Sequence, residues 1–245
     1  MSDGTTSPRA VVTAAAAAGL QVISLTDHDT TAGWEQAQAE ANRVGIRVLN
    51  GIEISTVYAG RGVHLLGYLF DPTHPGLVAA LDEIFGERAE RLPRILQALA
   101  SHGVELNIDE VWEAAGEPKA LGRPHVADAL VAAGIVADRD QAFAQWLSPG
   151  RPGFVRHRGA GLERMIRLVR EAGGVTVLAH PWGRHAPSTL GAEAIASLKQ
   201  VGLDGIEVDH QDHDAVQRAQ LRGLATELGL IATGSSDYHG GGKVN

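Results

Sequence analysis

Two rhythms of apolar and polar positions alternate along the chain. Short apolar runs of strand length are separated by stretches whose apolar residues fall three or four apart, the period of a helix packed on one side. Ser7-Pro8 ahead of small and aliphatic residues predicts a helix capped by Ser7, running to Ala18 and stopped by Gly19. Val22–Thr26 reads as a strand and about Thr31 to Val44 as an amphipathic helix closed by Gly45. Ile46–Ser55 and Val63–Leu69 read as further strands. From Pro75 to about Gly161 only helical periodicity remains: Leu77–Ala100, Asp109–Ala115, Arg123–Ala133 and Asp138–Leu147, broken at Gly103, Gly116, Gly134 and Pro149.

Strand and helix then alternate again. Leu162–Ala172, Gly191–Val201 and Asp214–Leu228 read as helices, and Val175–His180, Gly205–Asp209 and Leu230–Asp237 as strands. Repeated strand–helix units predict an α/β fold of parallel strands with right-handed crossovers, as an open sheet or a barrel. Residues 1–74 and 162–245 would form this main domain, and residues 75–161 a helical insertion or cap.

Composition narrows the picture. With 44% hydrophobic residues but only 4% aromatic, the core of this 245-residue chain must be aliphatic. A formal charge of −8 argues against a broad basic face for duplex DNA. The absence of cysteine excludes disulfides, thiolate-bound zinc and a cysteine nucleophile, so any metal ligands must be His, Asp or Glu. No apolar run approaches the roughly 20 residues of a membrane span. The Ala14–Ala18 run lacks the flank and cleavage pattern of a signal peptide, so a cytoplasmic protein with no membrane partner is expected.

The candidate chemistry sits at strand ends. Val22–Leu25 runs into Thr26-Asp27-His28-Asp29-Thr30, two carboxylates and an imidazole where a covered strand stops. That set suits hard and borderline divalent metals. A helix N-cap at Asp29 or Thr30 beside a surface histidine is the alternative. Glu53, inside Gly51-Ile52-Glu53-Ile54-Ser55, is a carboxylate on a buried strand and must be paired or metal-bound. His64, between Val63 and Leu65, faces a milder form of the same constraint. His180, Asp209-His210, and Asp237 with His239 follow later strands, and a barrel would bring all of these to one mouth. The tryptophans read as packing residues, with Trp182 beside His180 the one placed to meet a base.

Taken in order, Ser2-Asp3-Gly4-Thr5, Thr26-Asp27-His28-Asp29-Thr30, Gly51-Ile52-Glu53-Ile54-Ser55, His64-Leu65-Leu66-Gly67-Tyr68, Gly122-Arg123-Pro124-His125, Leu178-Ala179-His180-Pro181 and Gly234-Ser235-Ser236-Asp237-Tyr238-His239 resemble the polymerase-and-histidinol-phosphatase (PHP) metal-dependent phosphoesterases. The closer likeness is to the bacterial subgroup that acts on nucleoside 3′,5′-bisphosphates and trims short 5′-phosphorylated oligonucleotides. The resemblance implies a distorted (β/α)7 barrel holding up to three divalent ions, manganese, iron or zinc. Glu53 would bridge two ions, with His64 and His180 on one of them, and Asp3, His28 and His239 would hold the third. Asp237 would bind the ion that the family's His-x-His also holds. Arg123 and His125, brought by the insertion, and His210 would meet substrate phosphate. For hydrolysis by a metal-bridging hydroxide, Asp237 and His180 or His210 are by position the candidates to orient the hydroxide and to protonate the leaving oxygen. The family's first strand carries His-x-His before the Ser-Asp-Gly turn, whereas this sequence opens at Met1-Ser2-Asp3, and the family continues beyond Asp-x-His. A barrel incomplete at both ends is therefore expected. The alternatives are a phosphatase of histidinol phosphate or another small monoester, and a non-catalytic nucleotide-binding protein lacking one metal site.

Overall fold

The computed structural model describes residues 4–115, 122–155, 159–183 and 190–240. They divide into two compact units, one from the stretches 1–82 and 159–245 and the other from 83–158. In chain order the elements are α1 (Pro8–Ala17), β1 (Val22–Leu25), α2 (Trp34–Val44), β2 (Arg47–Tyr58), β3 (Arg61–Tyr68), α3 (Pro75–Ala100), α4 (Ile108–Ala115), α5 (Arg123–Ala132), α6 (Arg139–Ala142) and a π-helical turn (Phe143–Leu147). They continue with β4 (Ala160–Gly161), α7 (Leu162–Glu171), β5 (Val175–Leu178), α8 (Ala192–Val201), β6 (Gly205–Asp209), α9 (Ala215–Leu228) and β7 (Ile231–Gly234).

Local chemistry accounts for the helix ends. The Ser7 side chain accepts from the Ala10 N–H and Pro8 opens α1. Asp214 and Gln217 form a reciprocal capping box at the start of α9. Gly45 ends α2 at φ 80°, a left-handed position that glycine takes without a Cβ penalty.

The strands form one sheet in the order β1-β2-β3-β5-β6-β7, with β4 paired to β2. The β1–β2, β5–β6 and β6–β7 pairs are parallel, but β3 runs antiparallel to both β2 and β5. This corrects the expectation of parallel strands throughout. Only Ala59 and Gly60 separate β2 from β3, at φ 48° and 76°. So short a link makes a hairpin and cannot make a crossover. The two-residue β4 interrupts the stretch read as wholly helical, because two residues carry no readable pattern; Thr56 pairs with Ala160.

Side chains from β1, β2, β3 and β6, and from the segments following β5 and β7, line a single cavity of about 140 Å³. The sheet is therefore curled into a half-barrel. Alternate residues Ile52, Ile54 and Leu65 turn to the other face and are buried, and α7, with Met165, Ile166 and Val169 buried, lies against β2, β3 and β5. The helical unit has its own core, built on Leu99, Val111, Val126, Leu130 and Leu147. No helix among the described residues is long and apolar enough to cross a membrane.

Candidate metal centre

Glu53 on β2 organises the site. It is 6% exposed, and its backbone is locked from the β1 side: the Glu53 N–H donates to Asp27 O and the Asp29 N–H to Glu53 O. Glu53 Oε1 lies 2.7 Å from His64 Nδ1 and 3.3 Å from His180 Nε2, and those two ring nitrogens are 3.3 Å apart. Ligands about 2.0–2.2 Å from a divalent ion stand about 3.0–3.5 Å from one another, so this triangle is close to one face of a coordination polyhedron. Glu53 Oε2 addresses a second direction, 3.9 Å from His28 Nδ1. His28, Glu53 and His64 offer ligand atoms all within 4.8 Å of one another. The donor set of imidazole and carboxylate suits Mn, Fe or Zn.

The histidines continue as an arc. Ring centroids are 6.4 Å apart for His239–His28, 4.9 Å for His28–His64, 5.3 Å for His64–His180, 5.2 Å for His180–His210 and 5.8 Å for His210–His213. His239 Nδ1 donates to Asp237 O at 2.6 Å, which leaves Nε2 as the ring's lone-pair nitrogen. Asp237 Oδ2 lies 3.6 Å from His210 Nε2. His180 Nδ1 is buried without a hydrogen bond, a deficit typical of a place where a further group is bound.

Backbone strain collects here. Among the described residues, five that are not glycine have positive φ, and three of them stand at strand ends of the site: Asp29 (55°), His180 (26°) and Asp237 (47°). Such conformations persist only where the surroundings over-determine them. Asp29 is buried and accepts from the Ser55 N–H at 2.7 Å and the Ser55 hydroxyl at 2.8 Å. Asp237 N–H donates to Ser235 Oγ, and His180 N–H to Glu207 Oε2.

The charges are uneven. Burial alone would raise the Glu53 pKa, but hydrogen bonds from His180 and His64 and the charge of His28 hold it well below the usual carboxylate range. Glu207 is raised, chiefly by burial and further by Glu53, against the pull of the His180 N–H. His210 would be lowered by burial, yet Asp237, Glu207 and Asp212 raise it. His213 is lowered, burial being the main cause.

Comparison with known proteins agrees with this chemistry. The PHP domain model matches residues 1–116. A 3′,5′-nucleoside bisphosphate phosphatase of Chromobacterium violaceum is 36% identical over 242 residues, covering 99% of this chain and 85% of the relative. The chain belongs to the PHP domain family. A 5′-3′ exoribonuclease of Haemophilus influenzae is also 36% identical, over 97% of this chain and 86% of its own length. The crystal structure of a Bifidobacterium adolescentis protein assigned as a metal-dependent phosphoesterase superposes with a TM-score of 0.84 at 36% identity, covering all of this chain and 86% of that one. The protein is thus a PHP-family, metal-dependent phosphoesterase.

Of the residues singled out in the sequence, the fold brings His28, Glu53, His64 and His180 into one cluster, with His210, Asp237 and His239 beside it. Asp3 lies outside the described residues. Arg123 and His125 belong to the helical unit: the Arg123 guanidinium stands 5.6 Å over the Phe154 ring, and His125 Nδ1 accepts from the Gly122 N–H at the start of α5. Asp209 turns outward to Arg222 at 2.7 Å, and Trp182 donates its indole N–H to Leu190 O. The cavity wall holds Glu207 instead. Sequence reasoning passed over Glu207 although Gly205-Ile206-Glu207-Val208 carries the signal that marked Gly51-Ile52-Glu53-Ile54, a carboxylate inside an apolar strand.

Proposed function

We propose that the protein hydrolyses a phosphate from nucleoside 3′,5′-bisphosphates, adenosine 3′,5′-bisphosphate among them, and trims short 5′-phosphorylated oligonucleotides. The observation that carries this reading is the Glu53–His64–His180 triangle, with His28 on the other Glu53 oxygen; His28, Glu53 and His180 line the cavity. The names of the Chromobacterium and Haemophilus relatives supply the substrate class. A divalent cluster, manganese in the first instance, supplies neutralisation of phosphate oxygens and activation of water near neutral pH when bound. Glu53 would bridge two positions, with His64 and His180 on one of them, and His28, His239 and Asp3 would hold a third. Asp237 would orient the attacking water and take its proton. His210, whose pKa Asp237 and Glu207 raise against the opposing effect of burial, would face a phosphate oxygen. Arg123 and His125, on a helical cap spanning about residues 75–161, would bind the second phosphate, for which a planar guanidinium fork is suited. The half-barrel would be part of a distorted (β/α)7 barrel, and the enzyme would work in the cytoplasm.

The test is phosphate release from adenosine 3′,5′-bisphosphate, histidinol phosphate and AMP in saturating Mn2+. Preference for the bisphosphate is expected; no release from any of the three would reject the reading. Arg123→Ala should raise KM or lower kcat/KM mainly for the bisphosphate, and an equal loss on every monoester would remove Arg123 from this role.

A further inference from the structure

The turn that follows β5 is held by buried side chains from β6 and the segment after it. Residues 180–183 carry three N–H groups, since Pro181 has none. The Gly183 N–H closes the turn on His180 O at 3.1 Å. The Trp182 N–H donates to His213 Nε2 at 3.3 Å, and His213 Nδ1 donates in turn to Val208 O at 3.0 Å. The His180 N–H donates to Glu207 Oε2 at 2.8 Å. Both acceptor side chains are nearly inaccessible, Glu207 at 3% and His213 at 1%. Burying a carboxylate is unfavourable unless it is paired, and among the described residues the His180 amide is the hydrogen-bond partner that Glu207 has.

The sheet is shaped for this contact. Ala179 N–H donates to His64 O, tying the end of β5 to β3. The register between β6 and β7 slips between Glu207 and Asp209. Such an irregularity re-aims side chains: Glu207 lines the cavity while Asp209 turns out to Arg222. The peptide that Glu207 holds belongs to a residue at φ 26°, a conformation that needs outside support.

We propose that Glu207 is a positioning residue, its carboxylate oxygen holding the His180 backbone so that the imidazole meets Glu53 and His64. The role rests on reading those three residues as one metal-binding face. An acceptor oxygen is what the contact requires, so Gln should replace Glu207 and an apolar residue of similar volume should not.

The test compares the wild type, Glu207→Gln and Glu207→Met by two measurements. NMR-detected amide exchange at His180 in metal-free protein reads the clamp without metal or substrate. Calorimetric titration with Mn2+ reads the metal-binding face. Glu207→Met should speed exchange at His180 at least about tenfold, with β5 and β6 amides unchanged, and weaken Mn2+ binding roughly 10–100-fold. Glu207→Gln should stay close to wild type in both. Unchanged exchange and affinity in the Met variant would overturn the proposal. So would a Gln variant as impaired as the Met variant, since charge or direct coordination would then be what matters. If Glu207→Met does not fold, faster His180 exchange or weaker Mn2+ binding in Glu207→Gln overturns the proposal, and wild-type values support it. A wild type that binds no Mn2+ overturns the metal-face reading and with it the positioning role, while exchange at His180 still reports whether the clamp exists.

Discussion

Asp29 shows how much one side chain beside a metal-type cluster can carry through hydrogen bonds. Its two carboxylate oxygens satisfy the Ser55 N–H and hydroxyl, and its own backbone sits at φ 55°. Alanine would leave a buried N–H unsatisfied, at about 1–3 kcal/mol, and impose a left-handed position that costs it about 1–2 kcal/mol. Asp29→Ala should therefore lower the unfolding free energy in urea by about 2–5 kcal/mol. Asn tolerates that φ and keeps an acceptor, so Asp29→Asn should lose less than half as much. Equal stability of Asp29→Ala and wild type would reject this account. Glu53→Gln should behave oppositely: activity abolished and Mn2+ affinity lost, with little change in urea stability, because the residue's surroundings are built for an ion more than for the fold. Turnover that survives this change would remove Glu53 from the centre. Glu53 was legible from its strand context. Which atoms Asp29 holds was not legible, since Ser55 is distant along the chain.

At the scale of elements, the α1–α2 pair is joined by a buried carboxylate. Glu40 on α2 is 4% exposed, accepts from the Thr13 hydroxyl on α1 at 2.6 Å and is bound through both oxygens by Arg43. The Arg43 and Thr13 hydrogen bonds, with Arg9 nearby, bring its pKa down to about 2. A carboxylate depressed in the folded state stabilises above its unfolded pKa and loses that contribution as pH falls through the folded value. Glu40→Gln should thus lower Tm at pH 7, and the gap to wild type should narrow as pH drops from about 4.5 towards about 2. A gap independent of pH would show that packing, not charge, is what the substitution removes. Helix existence and most helix ends were legible here because periodicity and caps are local. Strand direction was not: the β2–β3 hairpin rests on two residues at positive φ, and only one of them is glycine.

For the whole molecule, a centre that gathers a carboxylate and several imidazoles should couple metal to stability. Mn2+ at about 100 times its Kd would add about 2.7 kcal/mol. In a chain of this size that corresponds to a rise in Tm of roughly 5–10 °C over chelator-treated protein. Glu53→Gln should lose most of that rise in the same melting experiment, and a rise of equal size in the variant would place the bound metal elsewhere.

The sequence by itself determined the α/β alternation, the aliphatic core, the helical character of residues 83–115 and 122–147, and the residue types able to hold a divalent ion. Each of these follows from local pattern and composition. That His28, Glu53, His64 and His180 share one site was expected from the sequence, but tertiary structure decided how they meet: Glu53 and His64 face each other from within paired strands, and the segments after β1 and β5 bring His28 and His180 to them. It also decided that Glu207 faces the cavity while Asp209 faces Arg222. Those outcomes depend on register and on one irregularity between neighbouring strands. A slip of one residue exchanges the two faces of a strand and leaves no trace in the composition of the segment.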